Sequence, residues 1–386
     1  MSEANTSKLL FSLIGTAVGS ESGATEYCEV DQTTAKVAEL AGYHDAVHFV
    51  AYALSKLSHT PSSPQLAAAL ERKQLHAVLR GEQMATDLAE LSRLFTEQGI
   101  DHIPLKGAVI RSFYPEGWMR TSGDTDVLVR RQDVDRAVEL LVTQLGFVEE
   151  KRSDRDVSLT SASGGHFELH FALMQDEVCP KPLSDVWASA EPSAEGSRLY
   201  LLDDKIFLFY HVVHAARHVI GGGCGIKPIL DLWILLRDPR FSSAEPLELL
   251  AKYRYLDFYN ALKKLGRVWF SGEEHDDVSL AFEAYVLSAG TFGNLENAVA
   301  AGRVTRGGKL RYLFSRIFPP YRFMKSLYPI LIEKRWLLPF CHVRRICRIL
   351  FLERRLKTAD HLKAATADND DRTRAVRSLL SSLGLD

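Results

Sequence analysis

The amino-acid sequence predicts an α+β protein: a small mixed sheet, preceded by N-terminal helices and followed by a larger α-helical region. Leucine and alanine recur at helical spacing from residue 63 to residue 98, and four short strand-like segments follow before residue 173. Beyond Pro182 the apolar spacing is helical again. We therefore expect an N-terminal helical segment (1–63), an α/β domain (64–180), a helical domain (181–357) and a polar, frayed tail (358–386).

The N-terminal part is predicted to be helical. The segment "SKLLFSLIGTAVGSESGA" has a short apolar core preceded only by Lys8, which favours a helix over a signal peptide. A second helix is expected over residues 33–56, before the break "HTPSSPQ". A third spans residues 63–98 and ends at Gly99.

The α/β unit has the order helix, strand, strand, helix, strand, strand. "IDHIPLKG" predicts a strand that ends in a glycine turn, and "DTDVLVR" predicts the next strand. "QDVDRAVELLVTQLGF" is typical of an amphipathic helix, with acidic residues in its first turn and Gly146 after its last. "DVSLTS" and "HFELHFAL" flank "ASGG", which predicts a hairpin.

Composition excludes several classes of protein. The chain has 386 residues and a net charge of −2, so the molecule as a whole is not an evident nucleic-acid binder. Its five cysteines form no C-x-x-C pair, which argues against a disulfide framework and a zinc knuckle. No stretch reaches about 18 apolar residues, so no transmembrane helix is expected. We therefore expect a reducing, cytoplasmic environment.

Three acidic residues are the candidates for chemistry. Asp124 and Asp126 are two apart at the start of a strand, so they point to the same face and repel each other unless a cation lies between them. Glu168 lies in a strand whose neighbours Phe167 and Leu169 are apolar. If the two strands are adjacent, the three carboxylates converge on a site that suits two Mg²⁺ ions. Alternatively, the aspartates are turn or cap residues and Glu168 pairs with a cationic side chain.

Three further residues are candidates for binding phosphate. Lys106 and Gly107 stand where a strand runs into a predicted helix, whose N-terminus would attract an anion. Lys106 would add a point charge for a triphosphate. Arg120, four residues before Asp124, is the other candidate.

The ordered set of these motifs resembles a known family. "LKG", then "RTSGDTD" before a strand, a helix ending in "LGF", "FELHF", "HVVHAARHV" and "IKPILDLWILL" are similar to the uncharacterised nucleotidyltransferase family of the DNA polymerase β-like superfamily. The resemblance covers roughly residues 70–350. It implies a polymerase β-type catalytic domain, with Lys-Gly where relatives carry Gly-Ser, and a helical domain that completes the substrate cleft.

The same resemblance implies a reaction. Asp124 and Asp126 would bind Mg²⁺, and Glu168 would be a third ligand or the general base. The enzyme would move a nucleoside monophosphate from an NTP such as ATP to a hydroxyl of a sugar, a small metabolite, a protein or an RNA end. The alternative is a non-catalytic nucleotide-binding or docking module with the same fold. A kinase is less favoured, because no P-loop or H-R-D motif is present.

Histidines and one aspartate are candidates for lining the substrate site. His211, His214 and His218 have the spacing H-x-x-H-x-x-x-H, which brings at least two onto one helix face and leaves a zinc site open as an alternative. A structural or substrate-lining role is favoured for them, and His170 is a further candidate. Asp231 is expected to pair with a histidine or an arginine, with metal ligation as the alternative.

A strongly basic stretch spans residues 303–357. It contains fifteen Lys or Arg residues and only two acids, Glu333 and Glu353. Three interpretations stay open: the solvated face of a helical bundle, a contact with RNA, or a peripheral membrane surface. We expect Trp336 to pack mainly in the core, with the arginines around it exposed.

Overall fold

The computed structural model describes residues 3–22, 31–174, 179–241, 243–351 and 370–386. The described residues form two compact units. The first lies within residues 1–213 and 226–276, and the second within residues 214–225 and 277–386. Cys28, the end of the basic stretch from residue 352 and the first part of the predicted tail lie outside the described residues.

Helices and strands are interspersed up to residue 202, and the described regular elements beyond it are all helices. The helices are α1 Glu3–Val18, α2 Asp31–Tyr43, α3 Val47–Lys56, α4 Pro64–Glu97, α5 Gly107–Ile110, α6 Val134–Leu145, α7 Lys181–Ser184, α8 Asp204–Ile220, α9 Lys227–Leu235, α10 Glu245–Lys252, α11 Leu256–Ser271, α12 Asp277–Ala289, α13 Leu295–Thr305, α14 Lys309–Ile317, α15 Tyr321–Leu327, α16 Ile330–Glu333, α17 Leu338–Phe351 and α18 Asp370–Ser382. The strands are β1 His102–Pro104, β2 Thr125–Val129, β3 Val148–Arg152, β4 Asp156–Thr160, β5 His166–His170, β6 Ala190–Pro192 and β7 Tyr200–Leu202.

The main sheet has five strands in the order β1-β2-β5-β4-β3. β2 and β5 are parallel, whereas β1 pairs antiparallel with β2 and β4 pairs antiparallel with β5 and β3. The small mixed sheet among helices confirms the predicted α+β class. The hairpin predicted at "ASGG" joins β4 to β5.

One face of this sheet packs on α4 and α6. Phe95 of α4 and Leu141 of α6 are fully buried in a cluster with Val127 of β2 and with Phe167 and Leu169 of β5. Because side chains alternate along a strand, the residues between these apolar positions point to the opposite face. The packing of the core therefore determines which face of the sheet carries the polar residues of β2 and β5.

Helix ends in the first unit follow known capping rules. The Ser63 hydroxyl accepts a hydrogen bond from the amide of Leu66, and Pro64 occupies the first turn of α4. Helix α6 ends at Gly146, whose φ of +67° is left-handed, a conformation that glycine adopts without a Cβ penalty. Helices α1 and α4 confirm the helices predicted at the N-terminus and over residues 63–98.

The structure differs from the predicted secondary structure in three places: one predicted helix is divided, and two strand features were not predicted. The helix expected over 33–56 is two helices, because Asp45 adopts a φ of +53° and its carboxylate is 2.5 Å from Lys227. Strand β3 was missed, since all its side chains are exposed and its sequence "VEEKR" has no apolar alternation. The ribbon of β6 and β7 was also missed, in a region predicted to be helical.

The end of the chain is ordered rather than frayed. Helix α18 contacts α13 and buries Val376, Leu379 and Leu380. Arg303 of α13 is almost completely buried and donates to the Thr373 hydroxyl at 3.3 Å. The apolar residues of α18 are spaced three and one apart among polar ones, which is why the composition alone suggested a solvated tail.

Candidate active site

The register of the sheet brings two of the predicted carboxylates together. Asp126 of β2 and Glu168 of β5 are direct partners across the parallel pair of strands, on the face opposite the core. Ligand atoms of Asp126, Glu168 and His170 all lie within 4.8 Å of one another. In the described part of the chain, this is the group of histidine, cysteine and acidic side chains whose geometry suits a metal ion.

The side chains of Lys106 and His170 converge on one oxygen of Asp126. Lys106 Nζ donates to Asp126 Oδ1 at 2.7 Å, and His170 Nε2 lies 2.7 Å from the same oxygen. His170 Nε2 is also 3.3 Å from Glu168 Oε2. Asp126 and His170 are almost fully buried, whereas Glu168 keeps about 29% of its side chain exposed. Glu168 is therefore the carboxylate of this group that solvent and substrate can reach.

These contacts shift the pKa values of the buried groups. Burial alone would raise the pKa of Asp126, but the charge of Lys106 and the hydrogen bond from His170 lower it well below its usual value. Burial would lower the pKa of His170, and its hydrogen bonds to Asp126 and Glu168 raise it. Asp126 is thus an anion held by two donors.

Asp124 lies next to this group but is not a member of it. Its Oδ1 accepts a hydrogen bond from the Ser122 hydroxyl at 3.2 Å. Burial raises the pKa of Asp124, and the negative charges of Asp126 and Glu168 raise it further, against the opposing effect of Lys106. Negative charge is therefore crowded at this edge of the sheet, where a cation would relieve the repulsion.

Lys106 reaches Asp126 from an unusual backbone conformation. Its φ is +47° and its ψ is −121°, and the Ala108 amide donates to the Leu105 carbonyl at 3.0 Å. These values describe the second residue of a type II′ turn, a position that glycine normally occupies. A lysine there bears a cost of order 1–3 kcal/mol, which a functional contact of its side chain would explain.

The helix expected after Gly107 is a single turn. It ends at Ile110, so it offers only a small dipole for a phosphate group. Gly107 is buried, and a Cβ added to it would lie 3.4 Å from the Ser122 hydroxyl oxygen. The turn therefore brings the backbone close to the loop that carries Asp124.

Arg120 is held by a buried ion pair. Its Nε donates to both carboxylate oxygens of Asp231, at 2.7 and 3.0 Å. The Tyr114 hydroxyl donates to the same carboxylate at 2.7 Å. Burial would lower the pKa of Arg120, but Asp231 raises it above its ordinary range. Arg120 is the kind of partner that the sequence predicts for Asp231. Tyr114 is a second partner that the sequence does not indicate, because it lies in a loop without any periodic signal.

The predicted histidines fall in two places. His211 belongs to the first unit and lies 3.1 Å from the Pro228 carbonyl oxygen, and burial lowers its pKa. His214 and His218 belong to the second unit, where their Nε2 atoms are 3.3 Å apart. Neither belongs to a group of three ligands among the described residues, so the zinc alternative gains no support.

The donor set of the carboxylate group fits a divalent cation. Carboxylate oxygens are the ligands that Mg²⁺ and similar hard ions prefer, and an imidazole nitrogen suits a transition metal in addition. Burial raises the pKa of Asp124 and the negative charges of Asp126 and Glu168 raise it further; a bound cation would offset that repulsion. Lys106, which forms an ion pair with Asp126, contributes one positive charge against the three carboxylates.

Comparison with known proteins gives one result. A family model described as uncharacterised nucleotidyltransferase matches residues 31–270, which begins and ends earlier than the range of about 70–350 expected from the motifs. No curated protein and no solved structure matches the chain. The matched range includes the whole five-stranded sheet, the carboxylate group and the ion pair of Arg120 with Asp231. The chain belongs to the uncharacterised nucleotidyltransferase family.

Proposed function

We propose that this protein is a metal-dependent nucleotidyltransferase that transfers a nucleoside monophosphate from an NTP to a hydroxyl acceptor. The observation that carries the proposal is the direct pairing of Asp126 with Glu168 on β2 and β5, with Lys106 at the same carboxylate. A catalytic domain over residues 64–180 and a helical domain over 181–357 are part of the proposal. So is a cytoplasmic location, where NTPs and Mg²⁺ are available.

Asp124, Asp126 and Glu168 are the residues that would hold the metal, with His170 as a further ligand or as a donor that orients Asp126. Two Mg²⁺ ions in such a site would stabilise the attacking and the leaving oxygens of a phosphoryl transfer. The position of Asp126 and Glu168 on neighbouring strands, with the negative charge of Asp124 beside them, supports this assignment.

In the proposed reaction, the acceptor oxygen forms a bond to the α-phosphorus of the NTP. The bond between that phosphorus and the oxygen bridging to the β-phosphate breaks, and its electron pair leaves with pyrophosphate. The proton of the acceptor hydroxyl passes to a carboxylate oxygen of Glu168, the accessible member of the group. His170, within hydrogen-bond distance of Glu168, is suited to hold that carboxylate in place.

Lys106 and Arg120 are the proposed phosphate contacts. Lys106 already neutralises part of the charge at Asp126 and would share its ammonium group with a phosphate oxygen. Arg120 is fixed by Asp231, whose carboxylate also accepts from Tyr114, so its guanidinium group loses little further conformational entropy on binding. His214, His218 and Asp231 remain proposed as residues that line or support the substrate site.

A panel of NTPs with Mg²⁺ or Mn²⁺, assayed for pyrophosphate release in the presence of sugar, metabolite, peptide and RNA acceptors, tests the proposal. Asp126→Asn and Glu168→Gln should each lower the rate about 100-fold or more. Glu139→Gln, an exposed acid of α6, is the matched control and should keep the wild-type rate. EDTA should abolish the activity and Mg²⁺ restore it. Equal rates for Asp126→Asn and wild type would exclude the assignment.

The alternative of a non-catalytic module is separated by binding alone. A nucleotide binder gains stability of RT ln(1 + [L]/Kd), about 2.7 kcal/mol at a ligand concentration 100 times Kd. We expect an NTP with Mg²⁺ to raise the melting temperature of wild type but not that of Asp126→Asn. A shift without any pyrophosphate release would favour a nucleotide-binding module. No shift with any NTP would contradict the enzyme and favour a docking module that binds no nucleotide.

A further inference from the structure

We infer that residues 309–348 form a surface that binds an anionic lipid bilayer. This segment, the basic apolar segment, contains α14, α15, α16 and most of α17 and lies beyond the residues matched by the family model. The inference does not depend on the proposed function. It rests on exposed apolar side chains, on their arrangement along helices and on charge.

Exposed apolar side chains are concentrated in this segment. Among the described residues, eleven of the twenty large hydrophobic side chains that are exposed fall within 310–343. They are Leu310, Phe314, Ile317, Phe318, Phe323, Leu327, Ile330, Ile332, Trp336, Phe340 and Val343. Scattered single hydrophobic residues are normal on a protein surface, but a concentration of this kind marks an interaction site.

Helix α14 presents its apolar side to solvent. Leu310, Phe314 and Ile317 follow a spacing of four and three, so they share one face of the helix, and they are 82%, 65% and 38% exposed. Tyr312, on the opposite side, is buried. A helix that packs on a protein core normally has the reverse arrangement. The apolar face of α14 is therefore available to a partner outside this chain.

An exposed aromatic pair lies around the start of α17, with Trp336 in the turn before the helix and Phe340 in its first turn. Trp336 and Phe340 are 69% and 66% exposed, and their ring centroids are 6.4 Å apart in an edge-to-face arrangement. The expectation that Trp336 packs mainly in the core is therefore wrong. The core of this region uses Met324, Leu331 and Cys341 instead, which leaves the two aromatic rings outside. Exposed Trp and Phe on a cationic helix are typical of proteins that lie in a membrane interface.

Charge complementarity points to an anionic partner. Residues 309–348 contain ten Lys or Arg residues and a single acid, Glu333. Arg311, Lys334, Arg335 and Arg344 are exposed, and so they accompany the apolar side chains along the segment. Anionic headgroups attract such residues, and the exposed apolar side chains can then enter the boundary with the acyl chains.

A bilayer fits these side chains better than a nucleic acid. Aromatic rings and arginines can stack on bases, but six of the eleven exposed side chains are aliphatic and offer no such platform. Aliphatic side chains gain free energy from any hydrocarbon environment in proportion to the area they bury. None of the described helices is long and apolar enough to cross a membrane, so the contact would be peripheral.

Vesicle co-sedimentation of the full-length protein tests the inference. The vesicles are phosphatidylcholine alone or phosphatidylcholine with about 30% phosphatidylglycerol. We expect binding to the anionic vesicles, a strong decrease at high salt, and at least about tenfold weaker binding by the double variant Trp336→Ser with Phe340→Ser. Because both side chains are exposed, this variant should keep the wild-type circular dichroism and melting temperature.

Phe292→Ser is the matched control. Phe292 belongs to the same unit and is 94% exposed, but it lies outside the basic apolar segment, so its variant should bind vesicles like wild type. Equal loss in the control and the double variant would overturn the inference. So would binding of an oligo(U) probe that depends on the two aromatics while vesicle binding does not. A wild-type dimer that becomes a monomer in the double variant would also overturn it, because a second copy would then cover this surface.

Discussion

Lys106 and Asp126 form an ion pair in the candidate active site, with Nζ 2.7 Å from Oδ1. The lysine makes this contact from a backbone conformation that favours glycine, with φ at +47°. Strained residues of this kind are found at functional sites, where the surrounding structure offsets their cost. The strained backbone of Lys106 therefore lowers the stability of the fold, and its ammonium group supplies a positive charge beside the carboxylates.

Two variants of Lys106 separate these effects. Lys106→Ala keeps the strained conformation and removes the ammonium group, whereas Lys106→Gly removes both. We expect the glycine variant to be more stable than the alanine variant by about 1–2 kcal/mol in urea unfolding, while both lose pyrophosphate-release activity. Equal stability of the two variants would show that the turn is not strained.

Arg120 should depend on Asp231 much more than on Tyr114. Asp231→Asn leaves a buried guanidinium group without its counter-charge, so we expect a loss of about 3–5 kcal/mol in unfolding free energy and weaker binding of the NTP. Tyr114→Phe removes one hydrogen bond to the carboxylate and should cost about 1 kcal/mol. Similar losses for the two variants would contradict the ion pair as the main support of Arg120.

His48 should make stability depend on pH. Burial lowers its pKa to about 4, although its Nε2 donates to the Met119 carbonyl at 2.8 Å. As the pH falls, the unfolded chain takes up the proton near pH 6.5 and the folded chain only near pH 4. The contribution of neutral His48 is therefore complete above about pH 6.5 and is lost as the pH falls, by about 2 kcal/mol at pH 5.

The measurement compares urea unfolding at pH 7 and pH 5 for wild type and His48→Gln. The variant keeps an N–H donor for the Met119 carbonyl and cannot titrate, so its loss of stability between the two pH values should be smaller than that of wild type. His76→Gln, an exposed histidine of α4, should leave the wild-type pH dependence unchanged. If His48→Gln and wild type lose the same amount, His48 is not the group responsible.

The strands and helices around the candidate active site were predictable because they follow short-range rules. The alternation of side chains in "DTDVLVR" predicts one strand, and the glycine turn before "HFELHF" predicts a hairpin. The order of these motifs in the chain resembles that of the family, which indicates that they belong to one unit. The exposed strand β3 lacks any such pattern. The break between α2 and α3 lies at Asp45, whose carboxylate contacts Lys227, a residue 182 positions further along the chain.

The candidate site was predictable to a similar degree. The sequence indicates which carboxylates share a face, but not the turn conformation of Lys106 or the convergence of Lys106 and His170 on one oxygen. Tyr114 and Arg120 both donate to Asp231, and each lies more than 100 positions before it in the chain. The exposure of Trp336 was predicted wrongly, because an aromatic residue among apolar neighbours is normally buried.

The pairing of Asp126 with Glu168 also determines where this chain can tolerate insertions and deletions. The β4–β5 loop around residues 162–164 is exposed, so an added residue there leaves the pairing of the strands intact. One residue added within β5 would instead turn every later side chain of the strand to the opposite face of the sheet. Leu169 would then replace a polar side chain beside the carboxylates. A single such change would move a charge into the core and an apolar residue into the site. Length variation in this family should therefore be confined to the hairpin loop and be absent from the two paired strands.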